Sequence, residues 1–102
     1  MPVDEDAFFK RADAHIDLSN AQLSEAGGPD VAASMGWGTA RFNTWMCANI
    51  VGTKAEMARR KEEMIAQLVE HYTHQLRAHF DNYIEEFDTF TRPGTITRPP
   101  QR

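Results

Sequence analysis

Residues 53–90 contain no proline and no glycine, and an apolar side chain returns every three or four positions: Met57, Met64, Ile65, Leu68, Tyr72, Leu76, Phe80, Tyr83, Phe87 and Phe90. That spacing collects the apolar groups on one face of an α-helix. It predicts a single amphipathic helix over residues 54–90, about 37 residues and roughly 55 Å long. In a chain of 102 residues, such a helix dictates what the rest can be, because the remaining segments must supply whatever packs on it. Thr53, with Glu56 three residues on, forms a capping box, and Gly52 closes the segment before it.

Two further segments carry the same period. Over residues 5–26 the stripe is Phe9, Ala12, Ile16, Ser19, Leu23 and Ala26; Asp4 is the expected N-cap, and Glu5 and Asp6 place negative charge at the positive end of the helix. Gly27-Gly28-Pro29 stops it, with Gly27 suited to the left-handed residue after a helix end. The next helix is expected over residues 31–51, capped by Asp30. Its first half is crowded with small residues, including Gly36 and Gly38 on either side of Trp37. Each glycine costs a helix about 1 kcal/mol against alanine, so the pair implies close approach of a neighbouring helix or a helix that starts later, near Thr39. After residue 90 the prolines Pro93, Pro99 and Pro100 predict an extended or disordered tail over 91–102, leaving 1–90 as one helical domain.

Composition limits the partners. Apolar residues make up 41% of the chain, too many for a fully disordered polymer, while the net charge of −4 argues against nucleic acid or an anionic membrane as partner. One cysteine, Cys47, cannot form an intrachain disulfide. With no basic-then-apolar leader pattern at the start and no apolar run long enough to span a bilayer, the expected location is the cytoplasm.

Short loops predict antiparallel neighbours, hence an all-α, up-down-up three-helix bundle with a long third helix. In that arrangement Lys54, Arg59, Arg60 and Lys61 lie near Asp4, Glu5 and Asp6. The first two helices are about 22 residues each, so about 14 residues of the third, roughly 20 Å, project past them. The projection carries Phe80, Tyr83, Ile84, Phe87 and Phe90. An aromatic stripe of that size calls for a fold-back or a partner, and a second copy of the chain is the expected one, giving a homodimer through the C-terminal half of the third helix.

Chemistry-bearing groups are sparse. His71 and His74 sit three apart beside Glu70, and a pair at that spacing can face one metal ion, but no second pair accompanies them and Thr73 stands where a Glu-x-x-His motif would need histidine. Cys47 lies among Trp45, Met46 and Ile50, the setting of a small core residue rather than a nucleophile. Arg41, Asn43 and Asn49 are polar groups in the most apolar helix; they can line a pocket or make interhelical bonds, with Asp13 or Asp17 as the acid for Arg41. The run Arg59-Arg60-Lys61 is followed at once by Glu62-Glu63, the pattern of a solvated face.

Two blocks resemble a known family. They are residues 9–22, containing Ala12-Asp13-Ala14-His15-Ile16-Asp17-Leu18-Ser19-Asn20, and residues 31–43, ending Ala40-Arg41-Phe42-Asn43. They are similar to the Ala-Asp-x-x-Ile-x-Leu-Ala-Asn and Ala-Arg-Phe-Asn segments of a bacterial family of small helical proteins known only as a domain of unknown function. The similarity runs from about residue 8 to residue 87. Ser19 stands where the family pattern has alanine, and Gly36 and Gly38 replace larger residues. The resemblance implies an all-helical fold and no assigned activity, and it marks Asp13, Asn20, Arg41, Phe42 and Asn43 as the place to look for a shared site. Taken together, the expected function is that of a non-enzymatic oligomerisation or protein-interaction module with no cofactor. The alternative is a helical protein binding a small molecule through Asp13, Asn20, Arg41 and Asn43, or a metal through His71 and His74.

Overall fold

The computed structural model of the chain describes residues 4–91, so the expected tail lies, past Thr91, outside the described residues. The described part is all-helical: α1 (Glu5–Leu23), α2 (Gly28–Val51), α3 (Lys54–Glu85) and a single turn, α4 (Phe87–Phe90). Asp4 caps α1 as expected, its carboxylate accepting a hydrogen bond from the Ala7 N–H at 3.1 Å.

The connection between α1 and α2 departs from expectation. α1 stops at Leu23 rather than Ala26; the Ser24 hydroxyl donates to the Ala21 carbonyl at 2.7 Å and takes up one of the terminal acceptors. Gly27 is extended, with φ −71° and ψ 158°, and it is the N-cap of α2 rather than the left-handed end of α1. Asp30, the expected cap, lies inside the first turn. Pro29 makes this earlier start favourable, because a proline in a helix's first turn gives up an N–H that has no intrahelical partner. From there α2 runs unbroken through Gly36 and Gly38. A Cβ added at either glycine would meet nothing within 4 Å, so among the described residues no neighbour uses the space they open.

At the other end of α2, Gly52 adopts φ +79° and donates its N–H to the Ala48 carbonyl at 3.0 Å. Thr53 then caps α3, its hydroxyl oxygen accepting from the Glu56 N–H at 3.2 Å. Only this half of the expected capping box forms. The Glu56 carboxylate turns forward to the Arg59 guanidinium, accepting from Nε at 3.0 Å and Nη2 at 2.6 Å.

The long helix is not continuous to Phe90. It ends at Glu85, Glu86 leaves helical geometry with φ −112° and ψ 33°, and α4 turns back. Glu85, Glu86 and Asp88 put three negative charges at the negative end of the helix dipole, which weakens its last turn. The gain on the other side is aromatic: Phe90 is buried, with its ring centroid 5.0 Å from that of Tyr83.

α2 is the central helix. α1 and α3 each pack on it and α4 packs on α3, while among the described residues α1 and α3 do not meet. Among the described residues no backbone contact of α1 with α3 supports the neighbourhood expected between Asp4, Glu5 and Asp6 and the basic start of α3, and Glu5 and Asp6 are engaged in interactions of their own. A helix in a closed bundle buries two flanks, whereas α1 keeps Phe8 and Leu18 exposed and packs on one partner only. The core is correspondingly small: Val31, Cys47 and Phe90 are the buried apolar residues described, joined by Ser19, whose hydroxyl donates to the His15 carbonyl at 2.9 Å. All of residues 32–42 on α2 and 69–81 on α3 are exposed, so the two helices touch near the Gly52 turn and separate away from it.

Two measurements check the corner at residues 52–59. Gly52→Ala forces a side chain into the left-handed region and is expected to cost about 1–2 kcal/mol in urea unfolding. The hydrogen bonds from Arg59 hold the Glu56 carboxyl below its ordinary pKa. The stability it contributes is present above the unfolded-state pKa and is lost as the pH falls through the lowered folded-state value. Carboxyl-detected NMR titration is expected to place the Glu56 midpoint below that of an ordinary glutamate, and Arg59→Ala to return it.

Candidate functional site

The Gly52 turn folds α3 back beside the end of α2 and leaves an open groove of about 630 Å³ between them. Its walls include Cys47 and Ala48 from α2 and Met57, Met64, Ile65 and Leu68 from α3, with Lys54 and Lys61 also lining it. No carboxylate and no histidine is among the lining residues. Cys47 is buried here as a small apolar residue. A groove of this make-up accepts hydrocarbon groups.

The four residues expected to bind a small molecule lie elsewhere. Asp13 and Asn20 are half-buried on α1 and engaged in interactions of their own; Arg41 is exposed and Asn43 half-buried on α2. The helices that carry them pack on each other, but none of the four lines the α2–α3 groove. Asp13 and Asp17 are both engaged in interactions, and the ion pairs on α3 are Arg59–Glu56, Arg60–Glu63 and His74–Glu70. Asn49 instead donates its amide to the Trp45 carbonyl at 2.9 Å, within its own helix.

His71 and His74 lie with Gln67, Glu70 and Gln75 around a shallow depression of about 320 Å³ on the outer face of α3. His74 Nε2 is 3.9 Å from Glu70 Oε1, and both side chains are exposed. Among the described residues, no group of three or more His, Cys, Asp or Glu side chains is placed to hold a metal ion. In the basic run, Arg59 pairs with Glu56 and Arg60 approaches Glu63 at 3.7 Å, which leaves a mixed-charge surface.

Of the expected contact residues, Phe80, Ile84 and Phe87 are exposed, Tyr83 is half-buried, and Phe90 is buried against Tyr83 in its own chain. The bare apolar surface is much wider than the end of α3. Trp37 is 80% exposed, and Phe42, Trp45 and Ile50 on α2 and Ile65, Val69 and Tyr72 on α3 are exposed as well. Phe42 and Trp45 lean on each other with ring centroids 5.6 Å apart. Sequence spacing had assigned α3 as far as Leu76 to packing within the chain. Spacing shows which face of a helix is apolar, and says nothing of which molecule covers it. One further group is incomplete: the side-chain oxygen of Asn82, near the α3–α4 corner, is buried with no hydrogen-bond partner.

Among the described residues, no helix is long and apolar enough to cross a membrane. No curated protein and no solved structure matches the chain. A family model does, over residues 8–84, which takes in α1, α2 and almost all of α3 and stops short of α4. The chain therefore belongs to the family described as "Protein of unknown function (DUF3144)".

Proposed function

We propose that this chain is a non-enzymatic helical module that acts by associating with itself, as a homodimer in the cytoplasm, and that two copies together complete the up-down-up bundle that one copy leaves open. The observation that carries the reading is the imbalance of apolar burial: among the described residues, three apolar side chains are buried against fourteen large ones exposed. Isolated exposed hydrophobics are ordinary, but contiguous faces on two helices are the mark of an interface. Area agrees. An aromatic side chain carries roughly 150–250 Å², so the seven exposed aromatics, about three-fifths exposed on average, present on the order of 900 Å² per chain. A standard specific interface covers about 800 Å² of each partner. The free buried thiol of Cys47 fits a reducing compartment. A second reading, a small-molecule-binding protein, rests on the α2–α3 groove, whose lining favours an apolar ligand over the polar one that Asp13, Asn20, Arg41 and Asn43 would take.

Sedimentation velocity at micromolar concentration is expected to give twice the 11.6 kDa of the chain. Phe80→Glu places a charge on the exposed stripe and is expected to raise the dimer dissociation constant on the order of 30-fold, the effect of losing a contact of about 2 kcal/mol. A wild-type chain that sediments as a monomer while melting cooperatively would overturn the reading.

A further inference from the structure

On α3 apolar residues recur every eleven positions: Ile65 and Leu76, Val69 and Phe80, Tyr72 and the half-buried Tyr83. Eleven residues in three turns is about 3.67 per turn, close enough to the helix's own period that the stripe stays on one side of a nearly straight rod. The half-buried residues that face the groove, Met57, Met64 and Leu68, form a neighbouring strip. Ile65 follows Met64, and Val69 follows Leu68, by about 100° around the axis. Beyond Ile65, which also lines the groove, the eleven-residue stripe runs clear of α2, and from Ile65 to Phe80 all its members are exposed. At its far end Phe90 lies over Tyr83.

The first turns of α3 carry four basic side chains against Glu56, Glu62 and Glu63, a slight positive excess, whereas residues 81–88 carry four acids and no base. Lys54, Arg59, Arg60 and Lys61 stand at its start, and Asp81, Glu85, Glu86 and Asp88 at or just past its end. Each group has the wrong sign for the dipole of its own helix end. A second α3 lying antiparallel sets the acidic end of each copy beside the slightly basic start of the other, whereas a parallel mate sets like beside like.

We propose that the partner on this stripe is a second copy of the chain, with the two α3 helices antiparallel about a two-fold axis between Tyr72 and Thr73. This rests on the self-association proposed above and adds its geometry. One register satisfies both patterns. It brings Ile65 level with Phe80 and Val69 level with Leu76 across the axis. The same register brings the slightly basic first turns of each α3 level with the acidic end of the other.

Cysteine cross-linking tests it, with the wild-type chain as control because Cys47 is buried. Thr73→Cys, at the edge of the stripe and beside the axis, is expected to form a disulfide-linked dimer under mild oxidation. Leu76→Cys alone is expected to stay unlinked, because its symmetry mate is about 10 Å away along the axis. An equimolar mixture of Leu76→Cys and Val69→Cys is expected to link. A disulfide from Leu76→Cys alone marks a parallel pair and overturns the proposal. So does a Thr73→Cys chain that sediments as a dimer but does not link, since the contact then lies on another face. If Thr73→Cys sediments as a monomer before oxidation, the self-association itself fails and this geometry with it. The Thr73 variant is mild, so it decides the matter even if Leu76→Cys or Val69→Cys disturbs the fold.

Discussion

Everything downstream in this molecule depends on one corner. Gly52 in the left-handed conformation ends α2, and the Thr53 hydroxyl starts α3 by taking the Glu56 N–H. These two local events reverse the chain within two residues, and from there α3 is committed to a direction. The groove, the separation of the two helices beyond it and the outward aim of the aromatic stripe all follow from how that corner sets α3 against α2. None of these is enforced by a large buried core, because the chain alone does not have one.

That deficit has an energetic meaning. Ordering one residue's backbone costs about 1–2 kcal/mol, and fully burying one large apolar side chain returns about 1.5–3 kcal/mol. With only Val31, Cys47 and Phe90 buried among the described apolar residues, burial within the chain goes little way towards offsetting the ordering of three long helices. Helix propensity does not make up the difference, since most helical stability in proteins comes from packing of an amphipathic face. In the self-association we propose, folding and assembly become one equilibrium, and apparent stability depends on protein concentration.

Helix ends were legible in the sequence wherever one side chain or one backbone geometry makes the cap. Asp4, Gly52 and Thr53 are of this kind, and each stands where its residue type implies. The α1–α2 connection was harder because Ser24, Gly27, Pro29 and Asp30 are all capping residues within seven positions, and which of them act depends on the path of the chain. The end of α3 was hidden for another reason: no proline or glycine marks Glu86, and the break reflects a contact between Tyr83 and Phe90 that spacing cannot show. Membership of the family was readable from two short blocks, yet Asp13, Asn20, Arg41 and Asn43 line no described cavity. The small-residue run around Gly36 and Gly38 suggested close approach of a neighbouring helix, but among the described residues nothing comes near either glycine.

The single turn of α4 bears on the size to which an assembly can grow. An aromatic ridge running bare off the tip of a helix offers the same sticky edge to every newcomer, and head-to-tail addition on such an edge has no natural stop. By laying Phe90 over Tyr83, the chain spends part of the tip of its own ridge on itself, with Ile84 and Phe87 left exposed beside it. What stays open is a stretch with two defined ends, a docking strip of finite length. Such a strip is filled once by a mate of equal length and then closes, which favours a discrete particle over a fibre.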